Sequence, residues 1–126
     1  DLTRAMDIDF DVSFMQVSSY GGGTQSTGEV KIIHDLDQSI RGRHALIVED
    51  IVDTGLTLQK VRNILLDRGP LSLRVCTLLD KPSRRKVEMK ADYVGFTIED
   101  HFVVGYGLDL EGKFRNLPYV GIYNPA

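Results

Sequence analysis

Between residues 45 and 79 the hydrophobic period of the chain changes twice, and this constrains the fold more than any other feature of the sequence. Residues 45–48, Ala-Leu-Ile-Val, are apolar without alternation, the pattern of a strand covered on both faces of a sheet. Leu58, Val61, Ile64 and Leu65 then fall on one side of a helix, and Gly69-Pro70 supplies its stop signal. Residues 73–79 return to an extended apolar run. Strand, helix and strand over this length make a βαβ unit, whose second strand runs parallel to the first through a right-handed crossover. The predicted fold class is α/β, a parallel β-sheet core flanked by helices.

The remaining elements fit around that unit in a single domain spanning residues 1–126. Residues 12–17 read as a strand and 30–33 as its partner in a surface ribbon. Between them residues 18–28 are polar with three consecutive glycines, which predicts a mobile loop because glycine raises the entropy cost of fixing a backbone. Residues 35–43 are turn-like and 81–90 form a basic connection whose side chains are mostly solvated. Residues 93–98 are a further strand candidate, and 102–106 and 119–123 are short apolar pieces. The chain opens Asp1-Leu-Thr-Arg-Ala-Met6, which reads as the tail of a helix and suggests a piece of a longer polypeptide.

Composition removes several function classes. A formal net charge of -3 does not provide a broad electrostatic surface for nucleic acid. The apolar runs fall far short of a membrane span, so a soluble protein is expected. Cys76 is the only cysteine, which rules out an internal disulfide, suits a reducing cytoplasm and reads as a core residue.

The chemistry concentrates where the first strand of the βαβ unit meets its helix, in Glu49-Asp50-Ile-Val-Asp53-Thr54-Gly55-Leu56-Thr57. Ligands of open α/β sheets bind beyond the carboxyl ends of the strands, which is where Glu49 and Asp50 stand if residues 45–48 are the strand. Residues 53–57 open the helix, where free backbone N–H groups and the helix dipole favour an anion. Gly55 permits close approach, and Thr54 and Thr57 add hydroxyl donors. Taken singly, each acid is adequately explained as an exposed loop residue, and Asp53 as an N-cap. The combination is harder to explain so. Adjacent carboxylates accept hydrogen bonds from vicinal hydroxyls and can hold a hard cation such as magnesium, and a phosphorylated ribose brings hydroxyls and phosphate together. The Walker pattern Gly-x-x-x-x-Gly-Lys-Ser/Thr is absent, which argues against a nucleoside triphosphatase. A response-regulator receiver domain would carry its acid pair after the first strand, with no Thr-Gly-x-Thr turn behind it.

Residues 48–57 resemble the signature of the type I phosphoribosyltransferases, which bind 5-phosphoribosyl diphosphate. Ser18-Ser-Tyr-Gly, Ser26-Thr-Gly-Glu-Val, Leu78-Leu-Asp-Lys-Pro, Asp92-Tyr-Val-Gly-Phe, Phe102-Val-Val-Gly-Tyr-Gly-Leu-Asp and Phe114-Arg-Asn-Leu-Pro extend the resemblance to the hypoxanthine-guanine branch over nearly the whole chain. The resemblance implies that Glu49 and Asp50 face the ribose hydroxyls, directly or through magnesium, and that Asp53, Thr54, Gly55, Leu56 and Thr57 hold the 5-phosphate. Asp53 is then also the general base near N7 of the purine, where a carboxylate can accept a proton. Lys81 corresponds to the donor to purine O6, since an ammonium donates and never accepts. Phe102 stacks on the base, the Val103 backbone reads its edge, and Asp109 lies near the exocyclic position and a second magnesium. Arg115 corresponds to the diphosphate-binding arginine. Ser19 and Tyr20 begin a mobile lid over residues 18–29 that shields the activated donor from water.

Taken together, the resemblance implies a cytoplasmic purine-salvage enzyme, working as a homodimer or homotetramer, that makes IMP or GMP from hypoxanthine or guanine and releases diphosphate. It also implies that the family's opening third, with a strand and a Leu-Lys-Gly-type diphosphate loop, precedes the position of Asp1. Two other readings stay open. One is a non-catalytic regulator that binds the same donor, although such a protein need not keep Lys81, Phe102 and Asp109; the other is an inactive fragment, or one completed by another chain.

Overall fold

The computed structural model describes residues 1–19 and 29–125. After a single helical turn, α1 (Leu2–Ala5), the strands β1 (Gln16–Ser19) and β2 (Val30–His34) pair antiparallel as the expected ribbon. The ribbon starts later than residues 12–17 suggested. The ladder ends where Gln16 meets His34, so the apolar residues before it have no strand to pair with, and Val12 and Phe14 are exposed. This lead-in is tied down by side chains instead: Ser13 Oγ accepts the Asp37 N–H at 3.2 Å, and Asp11 pairs with Arg43 at 2.8 Å.

The βαβ unit is present as predicted. Strand β3 (His44–Val52), helix α2 (Leu56–Leu66) and strand β4 (Ser72–Asp80) follow one another, β3 and β4 run parallel, and β5 (Tyr93–Thr97) adds to β4 in parallel, giving the order β3-β4-β5. Helix α2 buries Leu58, Val61 and Leu65, three of the four stripe residues read from the sequence; the fourth, Ile64, is half-buried. Leu58 packs with Val52, Val75 and Ala91, while Val61 and Leu65 pack with Leu73 under Met15, Val17, Leu36 and Ile40; Ile47 touches both groups.

Among the described residues, strand β3 is not covered on both faces. Its burial alternates, with Ala45, Ile47 and Ile51 turned inward, while Leu46 and Val48 remain exposed. The described residues place α2 on one face of the sheet and little on the other, where only Leu2 helps to line an apolar groove of ≈ 320 Å³ with Val48, Cys76, Leu78, Tyr93 and Val94. Cys76, expected in the core, is therefore only half-buried.

Two short strands, β6 (Val103–Val104) and β7 (Gly121–Ile122), pair antiparallel and close the C-terminal segment on itself. Gly105 makes that closure possible. It has φ +97, and a Cβ there would come within 2.0 Å of the Tyr119 carbonyl oxygen, a place only glycine can occupy.

Candidate active site

The strand β3 extends to Val52, four residues past the apolar run that located it, so Glu49 and Asp50 lie within the strand rather than beyond its end. Alternation along a strand sends neighbouring side chains to opposite faces, and the two acids are separated accordingly. Glu49 is half-buried and lines a cavity of ≈ 170 Å³ together with Ile51, Val52, Asp53, Thr54, Gly55, Thr57 and Leu58. Asp50 is exposed, with its Oδ1 accepting the Ile51 N–H at 2.7 Å. Burial, and then the neighbouring Asp50 charge, raises the Glu49 carboxyl from its usual 4.5 to about 7. The structure thus brings Glu49, Asp53, Thr54, Gly55 and Thr57 around one cavity, with Asp50 on the sheet edge beside it and Leu56 as the first helical residue.

The turn itself forms a cradle at the start of α2. Gly55, with φ 82, is the N-cap of α2, and the helical ladder begins only with the Gln59 N–H donating to Gly55 O at 2.9 Å. The amides ahead of Gln59 precede that ladder and have no carbonyl one turn back within the helix. Asp53 is therefore not the N-cap. Beneath the turn sits the connection after β4, and a Cβ on Gly55 would meet Arg85 Cδ at 3.0 Å, Met89 Cβ at 3.1 Å and Val87 Cγ2 at 3.3 Å.

Arg85 was not singled out by the sequence, where it is one charge in a basic loop. In the structure its guanidinium is mostly buried and organises the back of the cradle. It donates to Asp53 O at 2.6 Å, Val52 O at 3.3 Å and Met89 O at 2.8 Å, and it is ion-paired and hydrogen-bonded to Asp80 at the end of β4. The Lys86 N–H closes the other side on Thr54 O at 2.9 Å. The only signal in the sequence was Asp80 five residues upstream, which does not distinguish a brace from a surface pair.

On the neighbouring strand end, Lys81 is 6% exposed, far from the surface lysine its loop composition suggests. Its N–H donates to Val52 O at 2.9 Å, and its ammonium lies 3.8 Å from Asp100. Buried lysines are rare without a charged partner. The Ile98 N–H donates to Asp80 O at 2.8 Å, carrying the β4–β5 ladder to the end of both strands, and residues 98–101 lead from there, past the Lys81 ammonium at Asp100, to Phe102.

Phe102 is half-exposed and meets Tyr123 edge-to-face at 6.3 Å, with Tyr123 also 5.9 Å from Phe114. Tyr123 thus fixes the ring that the resemblance assigns to stacking. Val103 begins β6. Asp109 and Arg115 are brought together: Arg115 lies 3.2 Å from Asp109 and donates to Gly107 O at 2.7 Å, while Asp109 Oδ2 accepts the Gly112 N–H at 2.8 Å. Ser19 is the last residue of β1; Tyr20 and the bulk of the expected lid lie outside the described residues. Among the described residues no three His, Cys, Asp or Glu side chains converge as a ready metal-ligand set, and Glu49, Asp50 and Asp109 do not form one.

A parallel sheet that ends in an acid-lined anion turn, with a buried lysine on the adjacent strand, defines a phosphoribosyl-transferring class of protein, and residues 1–111 match the phosphoribosyl transferase domain family. The chain is 57% identical over 121 residues to the hypoxanthine phosphoribosyltransferase of Salmonella typhimurium, covering 96% of this chain and 68% of that protein. It is 54% identical over 126 residues to the hypoxanthine-guanine phosphoribosyltransferase of Bacillus subtilis, covering 100% of this chain and 70% of the relative. The crystal structure of a hypoxanthine phosphoribosyltransferase from Staphylococcus aureus superposes with a TM-score of 0.96 at 52% identity, over 98% of this chain and 67% of that one. This chain belongs to the hypoxanthine-guanine phosphoribosyltransferases, within the type I phosphoribosyltransferase family.

Proposed function

We propose that the protein transfers the 5-phosphoribosyl group from 5-phosphoribosyl 1-diphosphate to hypoxanthine or guanine, giving IMP or GMP and diphosphate, as a step of purine salvage. The observation that carries this reading is the shared cavity: the anion turn and two carboxylates, Glu49 and Asp53, line the same space, and Lys81 is one backbone hydrogen bond away from it. Phosphate and base therefore have separate recognition groups on adjoining strand ends. A regulator that binds only the donor has no use for a buried lysine there.

In this mechanism the first-turn amides of α2, with Thr54 and Thr57, anchor the 5-phosphate. Glu49 and Asp50 address the ribose hydroxyls, and Asp53 takes or stabilises the proton at purine N7. As diphosphate departs, positive charge builds on the ribosyl carbon, and the fixed carboxylates stabilise it. Lys81 donates to O6, Phe102 stacks on the ring, the Val103 backbone and Asp109 address the exocyclic edge, and Arg115 binds diphosphate. The lid beginning at Ser19 and Tyr20 excludes water. Glu49, whose carboxyl lines the cavity, would hold Mg²⁺, which takes few protein carboxylates and draws its remaining ligands from water and substrate phosphates. Bound there, Mg²⁺ would neutralise the diphosphate leaving group. A homodimer or homotetramer working in the cytoplasm belongs to the same reading through the family resemblance.

The test is nucleotide formation from hypoxanthine, guanine, xanthine and adenine with donor and Mg²⁺. Asp53→Asn is expected to lower turnover on the order of 10²-fold while donor binding largely persists, and Lys81→Ala to erase the preference for 6-oxo over 6-amino bases. Unchanged turnover in the first variant refutes the base assignment. Donor binding without any nucleotide product would establish the regulator instead.

A further inference from the structure

Four charged side chains from three separate segments alternate in sign across the mouth of the site. Arg84, the last residue of the 3-10 turn Pro82–Arg84, places Nε 2.8 Å from Asp53 Oδ1 and Nη1 3.8 Å from Asp100 Oδ1, and the same Asp100 oxygen lies 3.8 Å from Lys81 Nζ. The series reads Asp53, Arg84, Asp100, Lys81. Its two ends are the groups assigned to N7 and O6, neighbouring atoms on one edge of a 6-oxopurine. Asp53 Oδ1 is itself shielded from solvent and has no hydrogen bond among the described residues. The Arg84 N–H is close enough but does not point at it, so the contact is ionic; it holds the shielded oxygen, while the rest of the carboxylate, in a side chain 40% exposed, is left to a ligand.

We propose that Arg84 and Asp100 are positioning residues that hold Asp53 and Lys81 at the spacing of a purine N7/O6 edge, a role that rests on the function proposed above. Arg84 draws the Asp53 carboxylate toward the turn that follows Lys81 by charge attraction without consuming its acceptor capacity. Asp100 restrains the Arg84 guanidinium and the Lys81 ammonium from the opposite side. Neither residue need touch the purine. A surface arginine with no such role would contribute little, because exposed ion pairs are weak, and Arg84 and Asp100 are 47% and 53% exposed.

The experiment is a double-mutant cycle in the full-length protein, with steady-state kinetics resolved for each substrate. Arg84→Ala is expected to lower kcat/KM for hypoxanthine on the order of tenfold, with the donor KM unchanged and unfolding unaltered, and Arg84→Lys to recover part of the loss. In the Asp53→Asn background, Arg84→Ala is expected to have no further effect, since the carboxylate it positions is gone. Asp100→Asn is expected to weaken discrimination between 6-oxo and 6-amino purines more than it lowers turnover. Purine kinetics within twofold of wild type for Arg84→Ala, or a donor KM that moves as much as the purine KM, overturns the proposal. Full additivity of Arg84→Ala with Asp53→Asn overturns it as well. Failure of the base assignment itself is separately visible, because Asp53→Asn alone would then retain its turnover.

Discussion

Glu49 shows how much one side chain can report about a site. It sits in the cavity wall, and its carboxyl is raised from 4.5 to about 7 by burial and by Asp50. The folded protein therefore binds this proton more tightly than the unfolded chain, so the associated stability is present in full below about pH 4.5 and is lost as pH rises through about 7. Measured in a chelating buffer, the melting temperature of the wild type should fall across that window relative to Glu49→Gln, which lacks the titrating group. Parallel curves for the two proteins would remove Glu49 from the account. The acids and the turn were legible in the sequence because each acts within a few residues of its neighbours: Asp53, Thr54, Gly55 and Thr57 need only a strand before them and a helix behind. The separation of Glu49 from Asp50 was not, because it depends on how far β3 continues, and the apolar run that marked the strand stops before either acid.

At the scale of the element, the turn before α2 is held in shape from behind. Gly55 adopts a left-handed conformation over a floor made of Arg85, Val87 and Met89, so Gly55→Ala combines backbone strain with a crowded Cβ. A loss of about 1–2 kcal/mol is expected from the conformation alone, read by chemical denaturation, with donor affinity falling as the floor is displaced. The Arg85–Asp80 pair is mostly buried on both sides. Arg85→Met leaves the Asp80 carboxylate uncompensated and should cost on the order of 3 kcal/mol, whereas Arg85→Met combined with Asp80→Leu should cost less than the single change. A double variant less stable than Arg85→Met would show that the guanidinium serves the turn carbonyls more than it serves Asp80. No local pattern marks this brace: its partners Val52, Asp53, Asp80 and Met89 come from three segments, and only the parallel register of β3 and β4 brings them together. The same holds for Phe102, whose place in an apolar piece was visible but whose ring partner Tyr123 was not.

Across the molecule, among the described residues, the sheet is covered by α2 on one side and open on the other. Leu46, Val48 and Tyr93, which the register puts on the same face as Cys76 and Leu78, are between 38% and 58% exposed, an apolar surface of the kind that soluble proteins usually cover. An environment-sensitive apolar dye should brighten on the folded 126-residue chain, and Leu46→Glu with Val48→Thr should dim it while melting remains cooperative. No dye response in the wild type would mean that this face is covered in solution. The sequence led to the opposite expectation for β3, since an unbroken apolar run describes what a strand can tolerate on each face and not which neighbour arrives there.

The bond from the Lys81 N–H to the Val52 carbonyl, 2.9 Å long, carries a consequence for anyone wishing to re-engineer the enzyme. It fastens the segment that would recognise the base to the segment that would grip the sugar phosphate, with no slack between them. Loop grafting or length changes after β4 would shift both halves together. New base preferences should therefore be sought by exchanging side chains on an unchanged backbone, at positions such as 81, 84 and 100, and not by splicing in a connection from a related enzyme.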